Sequence, residues 1–92
     1  MIGRRLVVTG RVQNVYYRAW FAERARALGL DGWVRNRADG SVEAVVQGPS
    51  EAVQQMVDLA HQGSPASRVA GVAVHDDAPA ESLAGFVQRP TV

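Results

Sequence analysis

The stretch GWVRNRADGSVEAVVQG, Gly32 to Gly48, decides the fold. Two β-favouring runs, Trp33 to Ala38 and Ser41 to Gln47, flank Asp39-Gly40. That dipeptide suits a two-residue type I′ hairpin turn, in which both central residues need positive φ. The sequence therefore predicts a β-hairpin, and the other elements can be laid out on either side of it.

Upstream, RLVVTGRV (Arg5–Val12) alternates as a strand, with Leu6, Val8, Gly10 and Val12 on one face and Val7, Thr9 and Arg11 on the other. Between that strand and the hairpin, Tyr17, Phe21, Ala25 and Leu28, with Trp20 alongside, form a helical apolar stripe over about Tyr16–Leu28, closed by Gly29. Arg24 interrupts the stripe and must snorkel outward. Downstream, Pro49 suits the first position of a second helix and Glu51 its first turn. Val53, Met56, Val57 and Ala60 give that helix its buried face, and Gly63 with Pro65 ends it. Arg68–His75 alternates again, with Val72 and Val74 on one face and Val69 and Ala73 on the other. DDAPAES (residues 76–82) reads as a loop, and Leu83–Gln88 as a short fifth strand at an edge.

The order β-α-β-β-α-β defines an α+β fold, the ferredoxin-like sandwich: one antiparallel sheet with both helices on one face and a short extra strand. Ninety-two residues suit one hydrophobic core, and residues 1–92 are read as a single domain. No repeat beyond the two βαβ-like halves, no low-complexity tract and no linker stands out.

Composition narrows the chemistry. Hydrophobic residues make up 47% and charged residues 21%, ordinary values for a folded domain. There is no cysteine, which excludes disulfides, zinc knuckles and thiolate catalysis. Apolar runs are short and MIGRRLVV is no secretory leader, so the expected location is cytoplasmic, with no membrane contact. Net charge is +1, too small to argue for nucleic acid. Eight of the ten arginines lie from Arg4 to Arg37, and lysine is absent. This asymmetry favours an anion site in the first half, although a solvated mixed surface accounts for the charges equally well.

His61 and His75 have no carboxylate or serine at a suggestive offset and read as surface residues. No metal-ligand spacing occurs, and Asp58, Asp76 and Asp77 read as surface charge, so neither metal nor cofactor is expected. GRVQNVYYR (Gly10–Arg18) differs because it runs from a strand end through a short loop into a helix start. Successive N–H groups there can turn inward as a nest, and the helix dipole adds positive potential. Arg18 sits in the first turn, where a cation incurs a penalty of about 0.3–1 kcal/mol, unless it shares an anion with those amides. Its planar fork can hold two phosphoryl oxygens. The stretch is not a Walker loop, so no nucleotide is implied. Asn36 shares the strand face of Val34; it either meets water at the strand end or holds a water or substrate oxygen.

GRVQNVYYR, ARALGLDGWVRN, ADGSVEAVVQGP and GSPASRV, in this order and spacing, resemble the acylphosphatases over most of the chain. The family pattern is similar to G-x-V-Q-G-V-x-[FY]-R, a helix ending in G-[LIV], then G-[WY]-V-x-N and D-G-[ST]-V. The resemblance implies a metal-free hydrolase of carboxyl-phosphate anhydrides such as acetyl phosphate. It implies that Arg18 binds the phosphoryl group with the loop Val12, Gln13, Asn14, Val15, Tyr16 and Tyr17, and that Asn36 orients the attacking water. The resemblance assigns no side chain as general base and leaves the substrate phosphate as one candidate proton acceptor.

Position 14 departs from the pattern, with asparagine in place of glycine. Asparagine tolerates positive φ better than most residues, so the loop is expected to form with reduced activity. The alternative function is a catalytically weakened anion-binding module of the same fold. An RNA-binding sheet ranks lower, because SVEAVVQ lacks the glycine-aromatic signature. A unit of a larger maturation enzyme is set against a chain that starts at methionine and holds one domain. Tyr17, Trp20 and Trp33 read as core. The expected partners are a small acyl phosphate, phosphate or another small anion, and the expected state is a monomer.

Overall fold

The computed structural model describes residues 1–76 and 83–92. These form β1 (Ile2–Arg11), α1 (Tyr17–Ala27), β2 (Asp31–Asn36), β3 (Val42–Gly48), α2 (Ser50–Gln62), β4 (Arg68–His75) and β5 (Phe86–Gln88). The hairpin is present, with Asn36 opposite Val42 and Trp33 opposite Val45. Its turn differs from the expected type I′. The Arg37 N–H donates to Ser41 O at 2.8 Å and the Gly40 N–H to Arg37 O at 3.0 Å, enclosing three residues. Only Gly40, at φ 95°, is left-handed. Asp39 Oδ1 accepts from the Ser41 N–H and hydroxyl at 2.9 and 2.6 Å, an Asx turn that keeps its own φ negative. A three-residue turn ending in left-handed glycine results. The Ser41 hydroxyl, and then its N–H, hold the Asp39 carboxyl below its ordinary range.

The strands order as β4-β1-β3-β2-β5. Each helix therefore carries the chain across an intervening antiparallel strand, α1 from β1 to β2 and α2 from β3 to β4. The four long strands are antiparallel, as expected, whereas β5 lies parallel to β2 at the edge, pairing Gly32 with Phe86. β4 ends where β2 begins, so the next strand starting there travels in the direction of β2. The loop expected over residues 76–82 lies, beyond Asp76, outside the described residues.

Leu6, Val8, Val34, Val42, Ala44 and Val46 form the helix-facing side of the sheet and cluster with residues of both helices. From α1 come Tyr17, Phe21, Ala22 and Ala25, and from α2 the expected Val53, Met56, Val57 and Ala60. Arg24 is exposed, clear of the stripe. Truncating a fully buried side chain such as Met56 to alanine typically costs about 2–5 kcal/mol. Pro49 stands one place earlier than expected, as the cap residue at φ −58° and ψ 144°, and the helix begins at Ser50. Trp33 is buried against the sheet's other face, beneath the Arg35 and Arg89 guanidiniums at 4.5 and 4.8 Å from its ring centre.

Val69 departs from the expected alternation by packing on the same core as Val72. Thr9 pairs with Gly71 but Gly10 with Val69, so Ala70 is an extra residue and the face of β4 switches there. Gly10 makes this approach possible. At φ 114°, a Cβ on it would lie 2.2 Å from Arg68 O, too close for any side chain.

Tyr17 ties the two helices together, its hydroxyl donating to Ala60 O at 2.9 Å and its ring lying 5.3 Å from Trp20 and 6.1 Å from Phe21. Burial pushes its phenol well above the ordinary tyrosine range. A raised folded pKa means that the stabilisation is complete below about pH 10, the unfolded value, and is lost as pH climbs towards the folded one. Denaturation curves should therefore show stability falling above about pH 10. Tyr17→Phe should flatten that fall while lowering neutral stability by about 1 kcal/mol.

Candidate functional site

The loop after β1 alternates between residues that are anchored and residues that are exposed. Val12, Val15 and Tyr17 are buried, whereas Asn14 and Tyr16 are exposed. Gln13, expected to face the anion, spends its side chain elsewhere. Its Nε2 donates to Arg37 O at 2.7 Å and to Ser41 O at 2.9 Å, fastening the loop to the base of the hairpin turn. With the amide donors so engaged, the Gln13 N–H of the main chain is what remains to donate to an anion. Val15 O accepts from the hydroxyl of Ser64, itself buried, which fastens the loop to the turn after α2.

Asn14 and Tyr16 both adopt left-handed backbone, at φ 60° and 63°. At position 14 this is the conformation that the glycine of the family pattern would supply, so asparagine there preserves the loop's path. Tyr16 was not legible in this respect. It is the N-cap of α1, at φ 63° and ψ 16°, and the helical Tyr17 follows it. A left-handed residue followed by a right-handed one turns successive N–H groups into a concavity suited to an anion. Among the described residues no side chain caps this helix start, and no acidic residue occupies its first turn. The dipole's positive end is therefore uncompensated.

Arg18 lies in that first turn, as expected, and is half-buried. Its Nη1 donates to Arg89 O over a long 3.4 Å, leaving the rest of its five-donor fork for an oxyanion. The carbonyl that steadies it belongs to a segment that extends β5 along β2. The Arg89 N–H donates to Val34 O and the Val92 N–H to Asn36 O. Asn36 ends β2 on the helix-facing side, two residues from Val34. Its Oδ1 is buried and, among the described residues, has no hydrogen-bond partner. The expected residues thus gather at one end of the sheet, where β1 and β2 finish. Gln13 links the loop to Arg37, the residue after Asn36. Ser64 and Arg89 were missed by sequence reasoning, since nothing marks either one locally as a neighbour of the loop.

No deep cavity is needed for such a site. A hollow of about 630 Å3 lies towards the opposite end, lined in part by Ile2, Arg4, Glu51 and Val74, and it contains none of these groups. Asp58 and His61 are exposed on α2, as expected, His61 Nδ1 lying 3.0 Å from Val57 O on its own helix. Among the described residues no helix is long and apolar enough to cross a membrane.

The fold is a βαββαβ sandwich, and its loop after β1, Arg18 and Asn36 lie towards one end of the sheet. The family model for acylphosphatase matches residues 4–88. An acylphosphatase of Rhizorhabdus wittichii is 56% identical over 91 residues, covering 99% of this chain and 91% of its own. One of Acidovorax sp. is 54% identical over 91 residues, covering 99% and 93%. The crystal structure of acylphosphatase from Bacillus subtilis matches with a TM-score of 0.92 at 37% identity, over 97% of this chain and 99% of that one. The chain belongs to the acylphosphatase family, and it is a hydrolase of acyl phosphates.

Two substitutions test this loop. Gln13→Ala should strip one bond from each of two hairpin carbonyls, lowering stability by about 1–3 kcal/mol and raising KM. Asn14→Gly should raise turnover of benzoyl phosphate by no more than about fivefold, since glycine adopts the same φ without a side chain. Slower turnover would contradict the reading of Asn14 as a tolerated burden.

Proposed function

We propose that acyl phosphate hydrolysis runs here on the loop 11–18 amides, Arg18 and Asn36. The observation that carries this reading is the buried Oδ1 of Asn36 at the strand end beside the loop, unpartnered among the described residues. A buried acceptor left unsatisfied costs about 1–3 kcal/mol, and a water held by Asn36 removes that cost.

The steps follow from the charges. The phosphoryl oxygens lie against the α1 amides, with the Arg18 fork closing on them. Asn36 Oδ1 accepts a hydrogen bond from the water and turns its lone pair towards phosphorus, opposite the acyl oxygen. The water oxygen bonds to phosphorus as the bond from phosphorus to the acyl oxygen breaks, and the electron pair leaves with the carboxylate. The water's proton passes to a phosphoryl oxygen, giving inorganic phosphate. A carboxylate leaves readily without protonation, so positioning and charge stabilisation suffice and no histidine base is called for.

On this reading residues 1–92 act as one domain, a monomer that needs neither metal nor cofactor and works in the cytoplasm on small acyl phosphates. The cysteine-free composition and short apolar runs support that setting. A weakened anion-binding module is not favoured: Asn14 keeps the left-handed path, and relatives more than half identical carry the name acylphosphatase.

Phosphate release from acetyl or benzoyl phosphate, measured with a chelator present, tests the mechanism. Arg18→Ala should lower kcat/KM by about 100- to 1,000-fold, acting on KM and kcat together. Asn36→Ala should lower kcat by about 100-fold and leave KM nearly unchanged. Equal rates in the parent and Arg18→Ala would overturn the assignment, and loss of the parent's activity with chelator would overturn metal independence.

A further inference from the structure

Tyr16 presents an unexplained combination. Its left-handed backbone forms the N-cap of α1, although a bulky residue there is strained where glycine is not. The residue is 62% exposed, so burial in the core does not hold it in place. The side chain is instead drawn along the outside of α1, where its hydroxyl donates to Glu23 Oε1 at 2.5 Å, seven residues further on. Seven residues are about 10 Å along a helix axis, so the phenol lies nearly parallel to the helix and points away from the loop. Hydrogen bond and negative charge both bind the phenolic proton more tightly, which raises the Tyr16 pKa.

Glu23 has no place in the anion site. It sits exposed on the second turn of α1, and Tyr16 is the partner the structure gives it. Yet it fixes where the Tyr16 side chain lies, and with it the backbone that turns the Tyr16, Tyr17 and Arg18 N–H groups together. We propose that Glu23 is a positioning residue for the phosphate loop, acting through Tyr16: its carboxylate holds the phenol along α1 and so keeps the N-cap left-handed in the unliganded enzyme. The inference rests on the reading of loop 11–18 as the phosphoryl site.

Preorganisation of this kind acts on binding, because a loop already in its liganded shape has no ordering left to undergo. The phenol also lies clear of the anion, so substrate meets main-chain amides rather than an aromatic wall. An exposed pair contributes little to global stability. The effect of removing it should therefore show in phosphate affinity and KM, with Tm nearly unchanged.

The experiment measures competitive inhibition by inorganic phosphate, KM and kcat for benzoyl phosphate, and Tm, in the full chain. Glu23→Ala should raise the phosphate inhibition constant and KM by about three- to fivefold, with kcat and Tm close to the parent, and Glu23→Gln should fall between. Tyr16→Val, whose branched side chain resists left-handed backbone, should weaken phosphate binding by about tenfold. Adding Glu23→Ala to Tyr16→Gly should weaken phosphate binding no further than Tyr16→Gly alone, because the phenol that the carboxylate holds is already gone. Unchanged phosphate inhibition in Glu23→Ala, or an equal loss when Glu23→Ala is added to Tyr16→Gly, would overturn the positioning role while leaving the site intact. A parent that phosphate does not inhibit would overturn the site reading and the inference together.

Discussion

A loop can turn several N–H groups towards one ligand only if its side chains are pulled the other way. In the stretch 12–17 that constraint is met residue by residue. Val12, Val15 and Tyr17 go into the core, Gln13 reaches the hairpin, and Asn14 and Tyr16 take up the left-handed conformations that the reversals demand. The proposed chemistry depends on this alternation, since it is what turns the N–H groups at the uncapped start of α1 towards the side on which Arg18 lies.

The pull on the loop comes from three separate parts of the fold. The hairpin turn supplies two carbonyls for Gln13, the turn after α2 supplies the Ser64 hydroxyl for Val15 O, and α2 itself supplies Ala60 O for Tyr17. Arg89 O adds a fourth tie, to Arg18. On the proposed reading, such a frame would let the enzyme manage with neutral donors and one guanidinium. Acyl phosphates already carry a leaving group that departs as a stable anion, so the proposed mechanism asks only for positioning and charge stabilisation.

The fold was legible wherever periodicity decides it. Alternation in β1 and the spacing of Val53, Met56, Val57 and Ala60 carried straight through to burial, because each element buries one face. Legibility failed where a tertiary contact or a side-chain bond overrides local preference. Asp39-Gly40 names a type I′ turn until Ser41 bonds the Asp39 carboxylate. Val69 belongs to the outer face until a bulge at Ala70 shifts it inward. The parallel direction of β5 depends on where β4 ends, which no local pattern encodes. At the site, Arg18 and Asn36 stood out because each is poorly placed by ordinary rules, a cation at a helix start and an amide on a core-facing strand. Ser64 and the Arg89 carbonyl had no such anomaly, since a serine in a turn and a main-chain oxygen look ordinary until the fold brings them to the loop.

The strand order β4-β1-β3-β2-β5 makes sequence neighbours into spatial strangers: apart from the hairpin, every strand pair joins segments separated by at least a helix or a long connection. Closing such pairs requires large loops to be ordered before any contact offsets them. The ties on the phosphate loop come from residues 37, 41, 60, 64 and 89, spread over both halves of the chain. The frame around the loop is therefore complete only when both halves of the chain are in place, so a break anywhere along the sequence reaches the loop through one of its ties.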